Sequence, residues 1–240
     1  ILSNGGQESD VHMGGNIRVS VLDLLEKIHP GDRVVLELSS FQLGPIQHSP
    51  DIAVFTSFFP DHLDRYRTEQ EYLNDKLNIF RYQSTGNHLV LNYDQERVRG
   101  LAQNASAKAA FFSKEYQAGI DAWLLDGTIL LRGIEVLPVA ELLVPGDHNI
   151  ANALGAVLAC GLVGLEPEVI GKRLKTFTGI PGRQELLGIT TDEVRIINDT
   201  TSSTPTALYT ALDTFREHDI YLICGGMNKQ LNYDDFADKI

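Results

Sequence analysis

Residues 33–43 read Arg33-Val34-Val35-Leu36-Glu37-Leu38-Ser39-Ser40-Phe41-Gln42-Leu43. The first part is short, β-branched and apolar, and Pro30-Gly31-Asp32 precedes it as a turn, which predicts a buried parallel strand. A carboxylate and two hydroxyls follow where this strand ends, and open parallel sheets bind their ligands at the carboxyl ends of strands. A buried Glu37 needs a partner. That partner is either a bound cation or a structural group such as backbone amides or a basic side chain, and both interpretations stay open.

The composition limits the class of protein. The 240 residues are 43% hydrophobic, enough for the core of one large or two ordinary domains. Acidic residues outnumber basic ones by 32 to 20, and no basic run occurs, which argues against a nucleic-acid partner. Cys160 and Cys224 lie in apolar stretches, which predicts reduced core thiols and a cytoplasmic protein. No stretch reaches the roughly 18 to 20 apolar residues of a membrane helix, so we expect no membrane partner.

Strand and helix patterns alternate along the chain, which predicts an α/β fold with a parallel sheet. Asp126-Gly127, between two apolar runs, predicts an antiparallel hairpin after that sheet. Asp147 precedes a long Ala-rich helix that is predicted to run to about Leu162, and Gly179–Arg183 is typical of a hinge. Thr204-Pro205 marks the start of a further helix, and Gly225-Gly226 marks a turn before a last one. Strands are predicted at residues 34–38, 51–57, 88–92, 194–198 and 220–224.

Lys76 is the least expected side chain of its helix. Residues 68–71 form a capping-box pattern, after which Tyr72, Leu73, Leu77 and Phe80 share one helical face with Lys76. The ammonium must therefore extend to solvent, find an acid or lose its charge. An amine with a lowered pKa has a further chemistry, because it reacts with carbon dioxide to form a carbamate that ligates metals through oxygen.

Other polar groups lie at predicted strand and helix ends. His62, within Asp61-His62-Leu63-Asp64-Arg65, is either a ligand of a cation or substrate, or an ion-paired loop histidine; the residues alone favour the ion pair. Asn149 and Asn152 fall on one side of a first helical turn, where amides read a base edge, although Asp147 or Asn149 is also a natural cap. Further candidates are Arg183 as a phosphate clamp, the polar run 199–204, and Lys229.

These motifs resemble those of the Mur ligase family in order and spacing, over essentially the whole chain. The form Leu-Ser-Ser-Phe-Gln at 38–42 is similar to the member that adds D-glutamate. The positions that carry the resemblance are Gly14-Gly15-Asn16-Ile17, Glu37–Leu43, Asp61–Arg65, Lys76, His148-Asn149, Arg183, Asn198-Asp199 and Gly225-Gly226 with Lys229.

The resemblance implies a fold and a function. Residues 1–179 would be a central parallel-sheet ATPase domain with an antiparallel excursion, incomplete at its N-terminus, and residues 180–240 the start of a Rossmann-like C-terminal domain. The activity would be an ATP-dependent amide ligation of peptidoglycan precursor synthesis. It would join D-glutamate to UDP-N-acetylmuramoyl-L-alanine through an acyl phosphate, in a cytoplasmic monomer. Another Mur or folylpolyglutamate-type ligase, or a non-catalytic nucleotide-binding module, is the alternative.

The resemblance also assigns residue roles. Glu37, His62 and Lys76 would hold Mg²⁺ at two sites, with Lys76 carbamylated. The catalytic residues would be Lys76, His62 and Asp199. ATP would be bound by Asn149, Asn152, Arg183 and Asp199, and the other substrates by Asn16, His62, Ser203 and Lys229.

The sequence also departs from the family. No Gly-x-x-Gly-Lys-Thr/Ser loop occurs in the 240 residues, so we expect the chain to begin inside a longer protein and to be inactive by itself. Five further departures bear on substrate choice: Arg18, Gly182, Thr201, Asn228 and Gln230.

Overall fold

A computed structural model of the chain describes residues 10–17 and 20–226. Its centre is a six-stranded sheet in which the strands follow one another in chain order. The first four strands are mutually parallel, and each of the last two is antiparallel to the strand before it. This confirms the predicted parallel sheet and its antiparallel excursion. The strands are β3 (Ile52–Phe55), β4 (His88–Asn92), β5 (Lys108–Ser113), β6 (Ala122–Leu125), β7 (Thr128–Leu131) and β8 (Ile134–Pro138).

Helices cover both faces of this sheet. Along β4, Val90 packs in one buried cluster with residues of α4 (Asp147–Leu162) and α5 (Pro167–Leu174). Leu89 and Leu91 pack in another cluster with residues of α2 (Glu69–Arg81) and α3 (Glu96–Arg99). Alternate residues of a parallel strand thus face two apolar layers. The helices are α1 (Ser40–Leu43), α2 (Glu69–Arg81), α3 (Glu96–Arg99), α4 (Asp147–Leu162), α5 (Pro167–Leu174) and α6 (Pro205–Thr214), with single 3₁₀ turns at Leu22–Lys27, Gly100–Asn104 and Val139–Glu141.

Two hairpins build the antiparallel excursion. Asp126 and Gly127 have φ of 46° and 75°, so both adopt the left-handed conformation of a two-residue hairpin turn, as predicted. Arg132 and Gly133 repeat this geometry with φ of 50° and 84° and lead into β8, a strand that the sequence reading omitted. Arg132-Gly133, like Asp126-Gly127, is a residue followed by Gly between two apolar runs, and this pattern could have predicted the second turn.

A separate two-stranded parallel sheet contains the stretch 33–43. It pairs β1 (Val11–Gly15) with β2 (Arg33–Glu37), and the Arg33 side chain donates to the Val163 carbonyl at 3.2 Å, near the end of α4. The predicted strand is present, but its predicted burial is wrong. Val34, Val35 and Leu36 are 38–41% exposed and Glu37 is exposed, because β2 lies outside the six-stranded sheet, where α2, α4 and α5 cover the strands.

The region after the hinge holds an antiparallel pair, β9 (Glu185–Ile189) with β10 (Arg195–Asn198), followed by α6. Thr204 caps α6 and Pro205 occupies its first turn, as predicted. The predicted strand at 220–224 is absent, with Ile223 99% exposed, because no strand of the described residues lies alongside to pair with it. Cys160 is buried as predicted, whereas Cys224 is exposed and is not a core thiol.

The described residues contain no helix with the length and apolar character needed to cross a membrane. The last predicted helix and the calls on Lys229, Arg18, Asn228 and Gln230 lie outside these residues.

Candidate functional site

The helix α2 presents Lys76 beside a group of aromatic rings. The Thr68 hydroxyl accepts from the Glu71 amide at 3.1 Å, while the Glu71 carboxylate accepts from the Arg67 amide at 3.0 Å, so the cap closes one residue earlier than a capping box does. Tyr72 is buried, and the Lys76 ammonium lies 5.0 Å from the centroid of its ring. Burial lowers the pKa of Lys76, and the negative charge of Asp61 opposes that effect. A lysine in this setting is neutral more often than an exposed one.

Four rings from three segments form one wall. Phe41 of α1 stacks on Tyr66 with centroids 5.3 Å apart and meets His62 edge-on at 5.2 Å. Tyr66 and Tyr72 are 5.3 Å apart, which joins this group to α2 and to Lys76. Burial, with the charge of Asp61 and the neighbouring Tyr66, raises the pKa of Tyr72 to about 12.

An open pocket of about 460 Å³ lies along this wall, lined by Phe41, His62, Asp64 and Arg65. His62 has φ of 56°, a left-handed conformation that is uncommon for a residue with a side chain. Its amide donates to Asp61 Oδ1 at 2.7 Å, and its Nε2 lies 3.6 Å from Asp61 Oδ2. His62 thus lies beside Asp61, the contact that the ion-pair interpretation requires, whereas Asp64 pairs with Arg65 at 3.4 Å.

Asn16 and Glu37 are neighbours at the ends of β1 and β2. The Asn16 amide donates to the Glu37 carbonyl at 2.7 Å, and its side chain donates to Glu37 Oε1 at 3.3 Å. Gly15, with φ of 101°, makes this approach possible, because a Cβ there would lie 2.2 Å from the Glu37 carbonyl oxygen. The partner of Glu37 in this structure is thus an amide, and the carboxylate is exposed rather than buried.

The proposed metal ligands fit a magnesium ion in part. Glu37 offers carboxylate oxygens, the ligands that Mg²⁺ prefers, and neutral His62 offers a nitrogen. The ammonium of Lys76 is no ligand at all; only its carbamate would supply oxygen. Within residues 10–17 and 20–226, His, Cys, Asp and Glu side chains form no group of three or more that would hold a metal ion.

The start of α4 brings together the two predicted base-reading amides. Asn152 Nδ2 lies 3.5 Å from Asn149 Oδ1, as helical spacing predicts, and Asn149 Nδ2 donates to the Pro145 carbonyl at 2.7 Å. Neither Asp147 nor Asn149 caps the helix, which corrects that alternative. Gly146 is the cap residue, and having no side chain it makes no capping bond. Its φ of 93° is one that glycine adopts freely.

Residues of the hinge region approach the same helix start. Burial lowers the pKa of His148, the charges of Asp199 and Asp147 oppose this, and Arg183 adds to it. Asp199 accepts from the Gln184 amide at 3.1 Å and from the Ser202 hydroxyl at 2.6 Å. Arg183 and Ser203 are exposed. Arg183 and Asp199 thus lie within electrostatic range of His148, which follows the helix start and precedes Asn149.

The sequence reading missed Tyr66 and Asp75 as parts of the site. Tyr66 lies four residues after His62, and its hydroxyl donates to Asp75 Oδ2 at 2.9 Å. An aromatic residue inside the charged run 61–67 was the available signal, but its partners come from two other elements.

Comparison with known proteins identifies the family. Residues 11–160 match the family model of the Mur ligase middle domain, and the chain belongs to this family. It is 38% identical, over 92% of its length, to the UDP-N-acetylmuramoylalanine–D-glutamate ligase of Acetivibrio thermocellus, and 38% identical over 98% to that of Streptococcus equi subsp. zooepidemicus. It covers 48% and 51% of these two proteins, so the chain spans about half the length of the curated relatives it matches.

Solved structures support the fold. MurF from Acinetobacter baumannii superimposes with a TM-score of 0.69 at 18% identity, covering 88% of this chain and 49% of that one. MurF from Thermotoga maritima in complex with ADP gives 0.65 at 19% identity, covering 87% and 51%.

Proposed function

We propose that the gene product containing this chain is an ATP-dependent ligase that joins D-glutamate to UDP-N-acetylmuramoyl-L-alanine. The observation that carries the proposal is the partly buried Lys76, placed over Tyr72 and near the charge of Asp61, on the same aromatic wall as the His62 pocket. Relatives of 32–38% identity that carry the name of this D-glutamate ligase support the choice of substrates.

The proposed reaction activates a carboxylate. ATP would phosphorylate the alanine carboxyl group, and the amine of D-glutamate would then attack the acyl phosphate to form an amide. Charge develops on the transferred phosphoryl group and on the tetrahedral intermediate, so the site must present fixed dipoles and cations. We assign Asn16, His62, Ser203 and Lys229 to the binding of UDP-N-acetylmuramoyl-L-alanine and D-glutamate.

A nucleotide site would lie at the start of α4. Asn149 and Asn152 would read the adenine edge, because their amides offer both a donor and an acceptor. Arg183 would hold phosphate oxygens through its guanidinium group, and Asp199, fixed by Gln184 and Ser202, would complete the site from the hinge region. Water exclusion between these parts would protect an acyl phosphate.

Magnesium, when bound, would neutralise phosphate charge, and we assign Glu37, His62 and carbamylated Lys76 as its ligands at two sites. Before any metal binds, the lowered pKa of Lys76 favours the neutral amine that carbamylation requires. We further propose that the protein is a cytoplasmic monomer.

The test is a substrate panel with the purified gene product, ATP and Mg²⁺. We expect phosphate release and a new amide, seen by mass spectrometry, only with UDP-N-acetylmuramoyl-L-alanine and D-glutamate together. Equal turnover with L-lysine or diaminopimelate in place of D-glutamate, or with a folate as the carboxylate and L-glutamate as the amine, would assign the protein to another ligase of the family. Nucleotide binding without turnover of any substrate would favour a non-catalytic module.

A further inference from the structure

We propose that Tyr66, held by Asp75, is a positioning residue that fixes Phe41 and His62 as two sides of the 460 Å³ pocket. The positioning role rests on geometry alone. Only the identity of the molecule that fills the pocket rests on the proposed function.

Tyr66 links two helices. Its hydroxyl donates to Asp75 Oδ2 of α2 at 2.9 Å, and its ring stacks on Phe41 of α1. Removing the Tyr66 hydroxyl leaves this part-buried carboxylate oxygen without its donor, which costs more than the loss of an exposed hydrogen bond.

The ring and the backbone of Tyr66 reach the two sides of the pocket separately. Its ring stacks on Phe41 with an interplanar angle of 20° and covers one face of that side chain, which remains 49% exposed. Its amide donates to the His62 carbonyl at 3.0 Å and closes the turn in which His62 holds its left-handed conformation. Tyr66 thus sets the distance between Phe41 and His62 on the two sides of the pocket.

The other end of α1 has its own anchor. Asn78 Nδ2, buried on α2, donates to the carbonyls of Leu43 and Gly44 at 3.0 Å each. Gly44 also approaches Asp75 so closely that a Cβ would lie 3.1 Å from Asp75 Oδ2. A helix of four residues has no stability of its own. With Asn78 holding the Leu43 end, the Tyr66 network decides where the Phe41 end lies.

The first test uses Tyr66→Phe in the 240-residue chain and the NMR signals of the His62 ring, assigned with a His62→Gln variant. The His62 ring lies within ring-current range of Phe41, so we expect its proton shifts to move toward those of an exposed histidine. Tyr82→Phe is the matched control, because Tyr82 ends the same helix with a 45% exposed side chain. Shifts that move equally little in both variants would overturn the proposal.

The second test separates the hydrogen bond from the charge of Asp75. Asp75→Asn keeps an acceptor for the Tyr66 hydroxyl, so its His62 signals should match wild type. Asp75→Ala removes the acceptor, so its His62 signals should match those of Tyr66→Phe. Alanine is a better helix former than aspartate, so this substitution does not weaken α2. Identical shifts in the Asn and Ala variants would contradict a positioning role exerted through this bond.

A kinetic measurement on the gene product then connects the pocket to the proposed function. If the pocket binds the muramoyl substrate, Tyr66→Phe should raise its KM roughly three- to tenfold, the worth of one hydrogen bond, and leave kcat within about twofold. A gene product without ligase activity would overturn the proposed function, while the His62 signals still decide the positioning role.

Discussion

Lys76 differs from a surface lysine in its burial and in its neighbours. Its ammonium lies over Tyr72 and feels the charge of Asp61, and its pKa is lowered chiefly by burial. Helical periodicity placed it on the apolar face correctly, because that face follows from local geometry. The role as a carbamate stays a prediction, and it has a direct test.

We predict that ¹³C-labelled bicarbonate gives the wild-type chain a carbamate NMR signal that Lys76→Arg lacks, because a guanidinium group keeps its charge and forms no carbamate. The same substitution should lower ligase turnover of the gene product by roughly 100-fold, the effect of losing one transition-state contact. Lys172→Arg is the matched control, since Lys172 is exposed and pairs with Glu168 at 2.7 Å. A carbamate signal that survives in Lys76→Arg would rule out this residue.

Asp32 shows how one carboxylate holds the β1–β2 sheet. Its oxygens accept from the amides of His29 at 2.8 Å and Asp10 at 3.0 Å, and Oδ2 lies 2.9 Å from His12 Nε2. The His29 amide, followed by the His12 contact, lowers the pKa of Asp32 from 3.8 to about 2. A lowered carboxyl pKa stabilises the fold at pH values above about 4, and this contribution is lost as the pH falls toward 2.

We therefore predict that the urea midpoint of the wild type falls more between about pH 5 and about pH 2.5 than that of Asp32→Asn, which has no charge to lose. Asp192→Asn, at an exposed turn, should keep the wild-type slope. Parallel slopes for wild type and Asp32→Asn would show that Asp32 does not anchor this sheet.

At the scale of elements, local signals predicted much and tertiary context decided the rest. The hairpin at Asp126-Gly127 and the cap of α6 were predictable because turns and caps are encoded by adjacent residues. The helix α4 was predictable from its Ala-rich sequence, whereas its predicted cap was wrong. The strand β5 was omitted, since Lys108-Ala109-Ala110 offers little β-branched character and pairing with β4 and β6 stabilises it instead. The exposure of β2 depends on which sheet the strand joins, and the pattern of apolar residues in a strand does not predict that choice.

The same division applies to the candidate site. Asn149 and Asn152 lie together because one helical turn brings them together. The bond of Tyr66 to Asp75 and its ring contact with Phe41 join three segments, so no local pattern predicts them.

Gly146, directly before α4, lies close to Thr214, the last residue of α6. Its φ of 93° and ψ of 147° belong to glycine, and a Cβ would lie 2.6 Å from Thr214 Oγ1 and 2.7 Å from His148 Cε1. We predict that Gly146→Ala lowers the free energy of unfolding by about 1–3 kcal/mol from backbone strain, with a further loss from the clash.

The matched control for Gly146→Ala is Gly164→Ala. Gly164 has φ of 84° but nothing within 4 Å of its Cβ position, so it should cost only the backbone strain of about 1–2 kcal/mol. Equal losses in the two variants, measured by urea denaturation, would show that α6 does not pack against Gly146 in solution.

On the scale of the whole molecule, polar groups of the hinge region face the first turn of α4 through His148. Arg183 and Asp199 lie within electrostatic range of His148, the neighbour of the proposed base-reading Asn149. The pocket beside Phe41 and His62 lies on other elements, and the proposed phosphoryl transfer would require the two sites to meet in one cleft.

The 240 residues contain this arrangement but no Gly-Lys-Ser/Thr loop, the segment whose backbone, lysine and hydroxyl hold triphosphate and magnesium in P-loop enzymes. We predict that the isolated chain binds ATP with Mg²⁺ in calorimetry, through the α4 site, yet releases no phosphate when UDP-N-acetylmuramoyl-L-alanine and D-glutamate are added. Asn149→Ala should abolish that heat of binding, while Gln117→Ala, on an exposed loop, should not. Measurable phosphate release by the isolated chain would show that its own residues suffice to position the γ-phosphate.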